Sequence, residues 1–175
     1  MGSSPIDGSR ELTHNQCRQL NTNARGVTVS MKRIAVLLAD DNRIVRREFR
    51  QILELEADLE VVGEAKNGLQ AVALVKKLRP AVVLMDIAMP LLNGLLATRQ
   101  ILNAAPSTKV LMLSAHTEDA YVEAATNSGA MGYLLKHTCV ESVCPAIREV
   151  QKGNTFYSPS IPSHLHKRNR KKQMD

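Results

Sequence analysis

At 175 residues and 44% hydrophobic content, the chain is long enough to bury one core of ordinary domain size. Its formal charge of +6 sits at the ends: residues 1–33 carry five basic and two acidic groups, residues 162–175 five and one, and residues 34–161 carry 13 and 14. A basic whole-chain balance therefore does not make the body a nucleic-acid binder. Three cysteines, Cys17, Cys139 and Cys144, form no CxxC pair and fit reduced thiols rather than a disulfide framework or zinc site. No stretch reaches the roughly 20 apolar residues of a membrane helix, and no signal-peptide pattern opens the chain, so a cytoplasmic location is expected.

Residues 1–31 are rich in Ser, Asn, Thr and Gly without a sustained period, which predicts a disordered N-terminal extension. From Arg33 two kinds of segment alternate. The short apolar runs IAVLLA, LEVVGEA, AVVLM, KVLML and GYLL read as buried strands. Between them, RIVRREFRQILELE places Ile44, Phe49, Ile52, Leu53 and Leu55 largely on one side of a helix, and LQAVALVKKL does the same with Leu69, Val72, Leu74 and Val75. LLATRQILNAA, EDAYVEAATNS and VESVCPAIREVQK come next as further helices. Five strand-then-helix repeats call for a doubly wound α/β fold of the flavodoxin-like type, with a parallel sheet between helices. Thr138 and Glu141 form a capping-box pattern for the last helix, and Thr117 is placed to cap the fourth ahead of Glu118 and Asp119. Pro145 then falls in the second turn of the last helix, where a kink is expected.

Ligands of an open parallel sheet sit beyond the carboxyl ends of its strands. Asp40 and Asp41 close the first strand, Asp86 the third, Ser114 the fourth and Lys136 the fifth. With neighbouring strands about 4.8 Å apart, these side chains are expected to share one shallow pocket. Three acids together repel unless a cation sits among them, and all-oxygen ligation suits Mg²⁺, with Mn²⁺ as the alternative ion. Lys136 and the Ser114 hydroxyl would face a second anion, leaving Asp86 arranged for attack on phosphorus. Taken singly, each residue has an ordinary reading. Asp40, Asp41 and Asn42 suit a helix cap, Lys136 a solvated lysine and Ser114 a loop cap. It is their conjunction at four strand ends that points to chemistry. His116 borders the pocket two residues past Ser114, Tyr133 suits the core, and Met85 and Met89 suit packing.

At LADDN (38–42), MDIAMPLLNG (85–94), LSAH (113–116) and GYLLK (132–136) the chain resembles a two-component response regulator receiver domain, over about residues 33–153. With AIREVQKGNTFYSP it is similar to the NarL/FixJ subfamily, LuxR-type regulators. The resemblance implies that Asp86 accepts a phosphoryl group from a histidine kinase. Asp41, Asp86 and the backbone carbonyl of Ala88 would ligate the metal, with Asp40 acting through a metal-bound water. Ser114 and Lys136 would grip the phosphoryl oxygens, and Tyr133 would swing inward as Ser114 moves. Pro90 would stiffen the loop after the acceptor and Gly94 ease entry into the third helix. A phosphoryl group of roughly two negative charges would then bias the surface of the fourth helix, fifth strand and fifth helix, favouring a homodimer. Ala88 offers no polar side chain to orient a hydrolytic water, whereas His116 does, which leaves the dephosphorylation rate open.

The subfamily continues into a DNA-binding helix-turn-helix domain, for which residues 154–175 are too short. They are expected to be the basic start of a linker, making the chain a receiver fragment of a transcription regulator or a stand-alone receiver. Two other readings compete. A haloacid-dehalogenase-type phosphotransferase would need an Asp-x-Asp nucleophile on the first strand, where this chain has adjacent Asp40 and Asp41. A pseudo-receiver would lack competent pocket residues, and here all five positions are filled.

Overall fold

The computed structural model describes residues 21–22, 28–29, 32–137, 139–163 and 165. Residues 1–32 and 33–175 are separate units. In the first, the backbones of Asn21–Thr22 and Thr28–Val29 pair antiparallel; the rest of the extension predicted to be disordered lies outside the described residues.

Six parallel strands build the second unit: β1 (Ile34–Ala39), β2 (Leu59–Ala65), β3 (Val82–Asp86), β4 (Lys109–Ser114), β5 (Gly132–Leu135) and β6 (Phe156–Tyr157), in the order β2-β1-β3-β4-β5-β6. The helices are α1 (Arg43–Glu54), α2 (Gly68–Leu78), α3 (Gly94–Ala104), α4 (Asp119–Asn127) and α5 (Val143–Gln151). This is the flavodoxin-like doubly wound fold, with one short strand beyond the five expected.

Because successive strand residues point to opposite faces, the apolar runs divide between two cores. Leu37, Val83, Met85, Val110, Met112 and Tyr133 pack against Ala71 and Val75 of α2, Ile101 of α3 and Val122 of α4. Val36, Leu38, Leu84, Leu111 and Leu134 pack against Phe49 and Leu53 of α1 and Ile147 and Val150 of α5. A sheet covered on both faces leaves its carboxyl edge as the place where polar groups gather.

The helix register departs from expectation in places. Ile44, Leu55 and Leu69 are exposed rather than facing the core, so the buried stripes of α1 and α2 are narrower than their apolar content. Thr117 does not cap α4: the cap position is Glu118, without a side-chain hydrogen bond, while Asp119 does sit in the first turn. Thr138 lies outside the described residues. α5 begins at Val143 after Ser142, which places Pro145 in its first turn. A first-turn amide has no acceptor within the helix, so the missing N–H costs no hydrogen bond and the expected kink loses its cause. The Val143 N–H bonds the Cys139 carbonyl of the preceding turn at 2.8 Å, and past the proline the next i to i−4 bond, Ala146 N–H to the Ser142 carbonyl, forms at 2.9 Å.

Past the boundary expected at residue 153, the chain stays packed on the sheet. Phe156 and Tyr157 pair with Gly132 and Tyr133, and Ile161 and Leu165 join the core on the α4 side. Ser158 is buried, its Oγ accepting the Leu135 N–H at 3.0 Å. Gly132 permits this strand to approach, since a Cβ there would collide with the Phe156 carbonyl oxygen.

Candidate functional site

The sheet delivers its polar residues to one edge. Asp40 directly after β1, Asp86 at the end of β3 and Ser114 at the end of β4 are all buried; Lys136, one residue past β5, is half-buried, and Asp41 is exposed. The structure brings the three acids together, with one ligand oxygen of each lying within 4.8 Å of the others. Lys136 Nζ stands 2.7 Å from Asp40 Oδ2 and 3.0 Å from Asp86 Oδ1.

Burial pushes the Asp86 carboxyl above its usual range and the like charge of Asp40 adds to this, against hydrogen bonds from Lys136 and the Ala88 backbone amide. For Lys136, burial favours the neutral form, but its two carboxylate partners outweigh it and the ammonium is held more firmly than usual. One ammonium thus serves two of three clustered acids. Asp40 Oδ2 has that ion pair but no hydrogen bond of directed geometry. A tight set of hard oxygens, one of them underserved, fits a divalent cation such as Mg²⁺. Exposed Ala88 lies beside the set.

Local backbone fixes these side chains. The Asn42 N–H donates to Asp40 Oδ1 at 2.8 Å, and Asn42 Oδ1 caps α1 by accepting the Ile44 and Val45 amides. Gly94 lies against the end of β3 so closely that a Cβ would strike the Asp86 carbonyl oxygen, a stronger reason for glycine than ease of helix entry. Pro90 and Leu92 close the intervening turn by a 2.8 Å backbone bond around Leu91, whose φ of 67° is a strained value for a leucine. Met85 and Met89 are buried in the core, as packing requires.

On the far side, Ser114 Oγ accepts the His116 N–H at 3.0 Å. The Tyr133 ring is fully buried, pointing inward, and its hydroxyl donates to the His116 carbonyl at 2.9 Å. The His116 ring stacks on Tyr121 at 4.2 Å, with Nδ1 3.6 Å from Glu118, so it is engaged by α4. Sequence reasoning missed two contributors, Ser158 behind β5 and Arg46. The Arg46 guanidinium donates to the backbone carbonyls of Asp40 and Asp41, acceptors that leave no trace in side-chain patterns.

Residues 36–148 match the family model described as the response regulator receiver domain. The chain is 37% identical over 143 residues to the transcriptional regulatory protein DegU of Brevibacillus brevis, covering 82% of this chain and 61% of that protein, so it spans about three-fifths of that relative. Among solved structures it is similar to the response regulator domain of CheB from Thermotoga maritima, 32% identical with a TM-score of 0.65, covering 69% of this chain and 98% of that one. It is also similar to the isolated REC domain of RcsB from Salmonella enterica serovar Typhimurium, solved with the phosphomimetic BeF3−, at 27% identity and TM-score 0.69, covering 77% and 99%. A further RcsB structure holds two dimers on two parallel DNAs.

Proposed function

The chain belongs to the family of response regulator receiver domains, and we propose that it is the phosphoacceptor switch of a two-component phosphorelay, with Asp86 as acceptor. The observation that carries this reading is the buried Asp86 carboxylate, with an ammonium 3.0 Å away and two further acids clustered beside it. An Asp86 oxygen attacks the phosphorus of a histidine kinase's phosphohistidine. The P–N bond breaks, its electron pair leaves with the imidazole, and an acyl phosphate forms. Asp41, Asp86 and the Ala88 carbonyl would hold Mg²⁺, or Mn²⁺ in its place, with Asp40 acting through water; when bound, the ion neutralises charge on the phosphoryl oxygens. Lys136 exchanges its Asp86 contact for a phosphoryl oxygen. Ser114 turns its hydroxyl from the His116 amide to another, and the loop that carries His116 and the Tyr133 hydroxyl bond shifts with it.

The chain acts on no substrate but itself: it catalyses its own phosphorylation and slow hydrolysis. Residues 32–153, with the packed segment after them, form the phosphoacceptor unit, and residues 1–31 an extension. The output is a phosphorylation-dependent homodimer that controls transcription through a helix-turn-helix domain outside these 175 residues, in the cytoplasm. Support comes from the DegU relative's name and from the RcsB dimers on DNA. No described helix is long and apolar enough to cross a membrane. Beryllofluoride tests the site without a kinase. With Mg²⁺ it should raise the melting temperature of the wild type by several degrees and leave Asp86→Asn unmoved. Equal responses in the two proteins would place the acceptor elsewhere.

A further inference from the structure

The first turn of α1 carries Arg43 and Arg46 and no acidic residue, although the positive end of a helix dipole disfavours cations. A local choice that opposes its helix calls for a reason elsewhere in the fold. For Arg46 the structure supplies one. Its Nη1 donates to the Asp40 carbonyl at 2.7 Å and the Asp41 carbonyl at 3.3 Å, while its Nε donates to Glu64 Oε2 at 3.0 Å. Glu64, on β2, is gripped from the other side by Arg50 Nε at 2.6 Å. The guanidinium therefore ties the acidic loop to the neighbouring strand through a fixed fork that a point charge cannot reproduce.

The two acids depend on that loop to different degrees. Asp40 is held by its own side chain, through the Asn42 amide and Lys136. Among the described residues nothing holds the exposed Asp41 carboxylate, so its direction is set by its backbone alone, and Arg46 grips that backbone. We propose that Arg46, oriented by Glu64, is a positioning residue for the divalent cation: by turning the Asp40 and Asp41 carbonyls outward it presents the Asp41 carboxylate to the pocket. This rests on the reading of the acidic cluster as a cation site.

The sign of the effect separates positioning from simple electrostatics. As a nearby positive charge, Arg46 repels the ion, so removing it would tighten binding; as a brace, its removal loosens binding. The test is calorimetric titration of the full chain with Mg²⁺ alone. Arg46→Ala should weaken affinity about fivefold or more, and Arg46→Lys, which keeps the charge but loses the fork, should weaken it by a smaller factor at an unchanged melting temperature. Arg43→Ala removes equal charge from the same exposed turn of α1 without touching Glu64 or the loop carbonyls, and should leave affinity within about twofold or slightly tighter. Unchanged or tighter binding in both Arg46 variants, while Asp41→Asn abolishes it, would overturn the brace and leave the cation site standing. Absence of Mg²⁺ binding in the wild type would overturn both. Should Arg46→Ala fail to fold, Arg46→Lys decides.

Discussion

Asp86 is the residue that the fold tolerates at a cost. Its carboxyl is pushed up chiefly by burial and stands beside Asp40, so in metal-free protein at neutral pH its ionised form opposes folding despite Lys136. A folded-state value raised above the unfolded one contributes stability below the ordinary carboxylate range, and that stability is lost as pH rises through the folded value. Asp86→Asn should therefore be more stable than wild type by about 1 kcal/mol at pH 7 in chelator, with the advantage vanishing toward about pH 4. Urea denaturation at the two pH values checks this, and a less stable variant at pH 7 would show Lys136 overcoming the burial penalty. At this scale the sequence was most legible. Asp40, Asp41, Asp86 and Lys136 needed only strand ends and a parallel sheet to be brought together. Arg46 was not legible, because the acceptors that tie it to the acidic loop are backbone carbonyls.

Between elements, the described contacts include an ion cluster that joins α5 to the turn before β2. Arg148 donates to Asp58 through Nε at 2.8 Å and Nη2 at 2.7 Å, and to Glu56 at 2.6 Å. Hydrogen bonds from Arg148 hold the Asp58 carboxyl below its usual range. Its contribution is thus present above the unfolded value of about 3.9 and is lost as pH falls through the lower folded value. Because the cluster is partly solvated, Arg148→Ala should cost only about 1 kcal/mol at pH 7, and the difference from wild type should fade below about pH 3. Chemical denaturation across that range measures it; a pH-independent difference would assign the loss to packing. Element identity was legible in periodicity, but element ends were not. Pro145 looked like a kink because the helix was started too early, at a cap whose geometry no pattern of residue types determines.

At the scale of the molecule, the two-faced sheet was readable from five apolar runs, whereas the sixth strand was not, since two residues carry no period. That strand holds the chain against the sheet long enough for Ile161 and Leu165 to fill the core beside α4, and its Tyr157 Oη lies 3.4 Å from the Thr126 hydroxyl. Replacing both Ile161 and Leu165 with Ala should lower stability by about 3 kcal/mol or more, since each buried aliphatic truncation costs roughly 2–5 kcal/mol in a closed core. An unchanged urea midpoint would show the segment resting on the sheet without supporting it. The switch itself is tested most directly by intact mass after incubation with acetyl phosphate and Mg²⁺, comparing wild type with Asp86→Asn. One phosphoryl adduct on the wild type, dependent on the ion, labile in base and to hydroxylamine, and absent from the variant, is the expected result. An equal adduct on Asp86→Asn, or none on folded wild type with either acetyl phosphate or a phosphorylated histidine kinase, would contradict it.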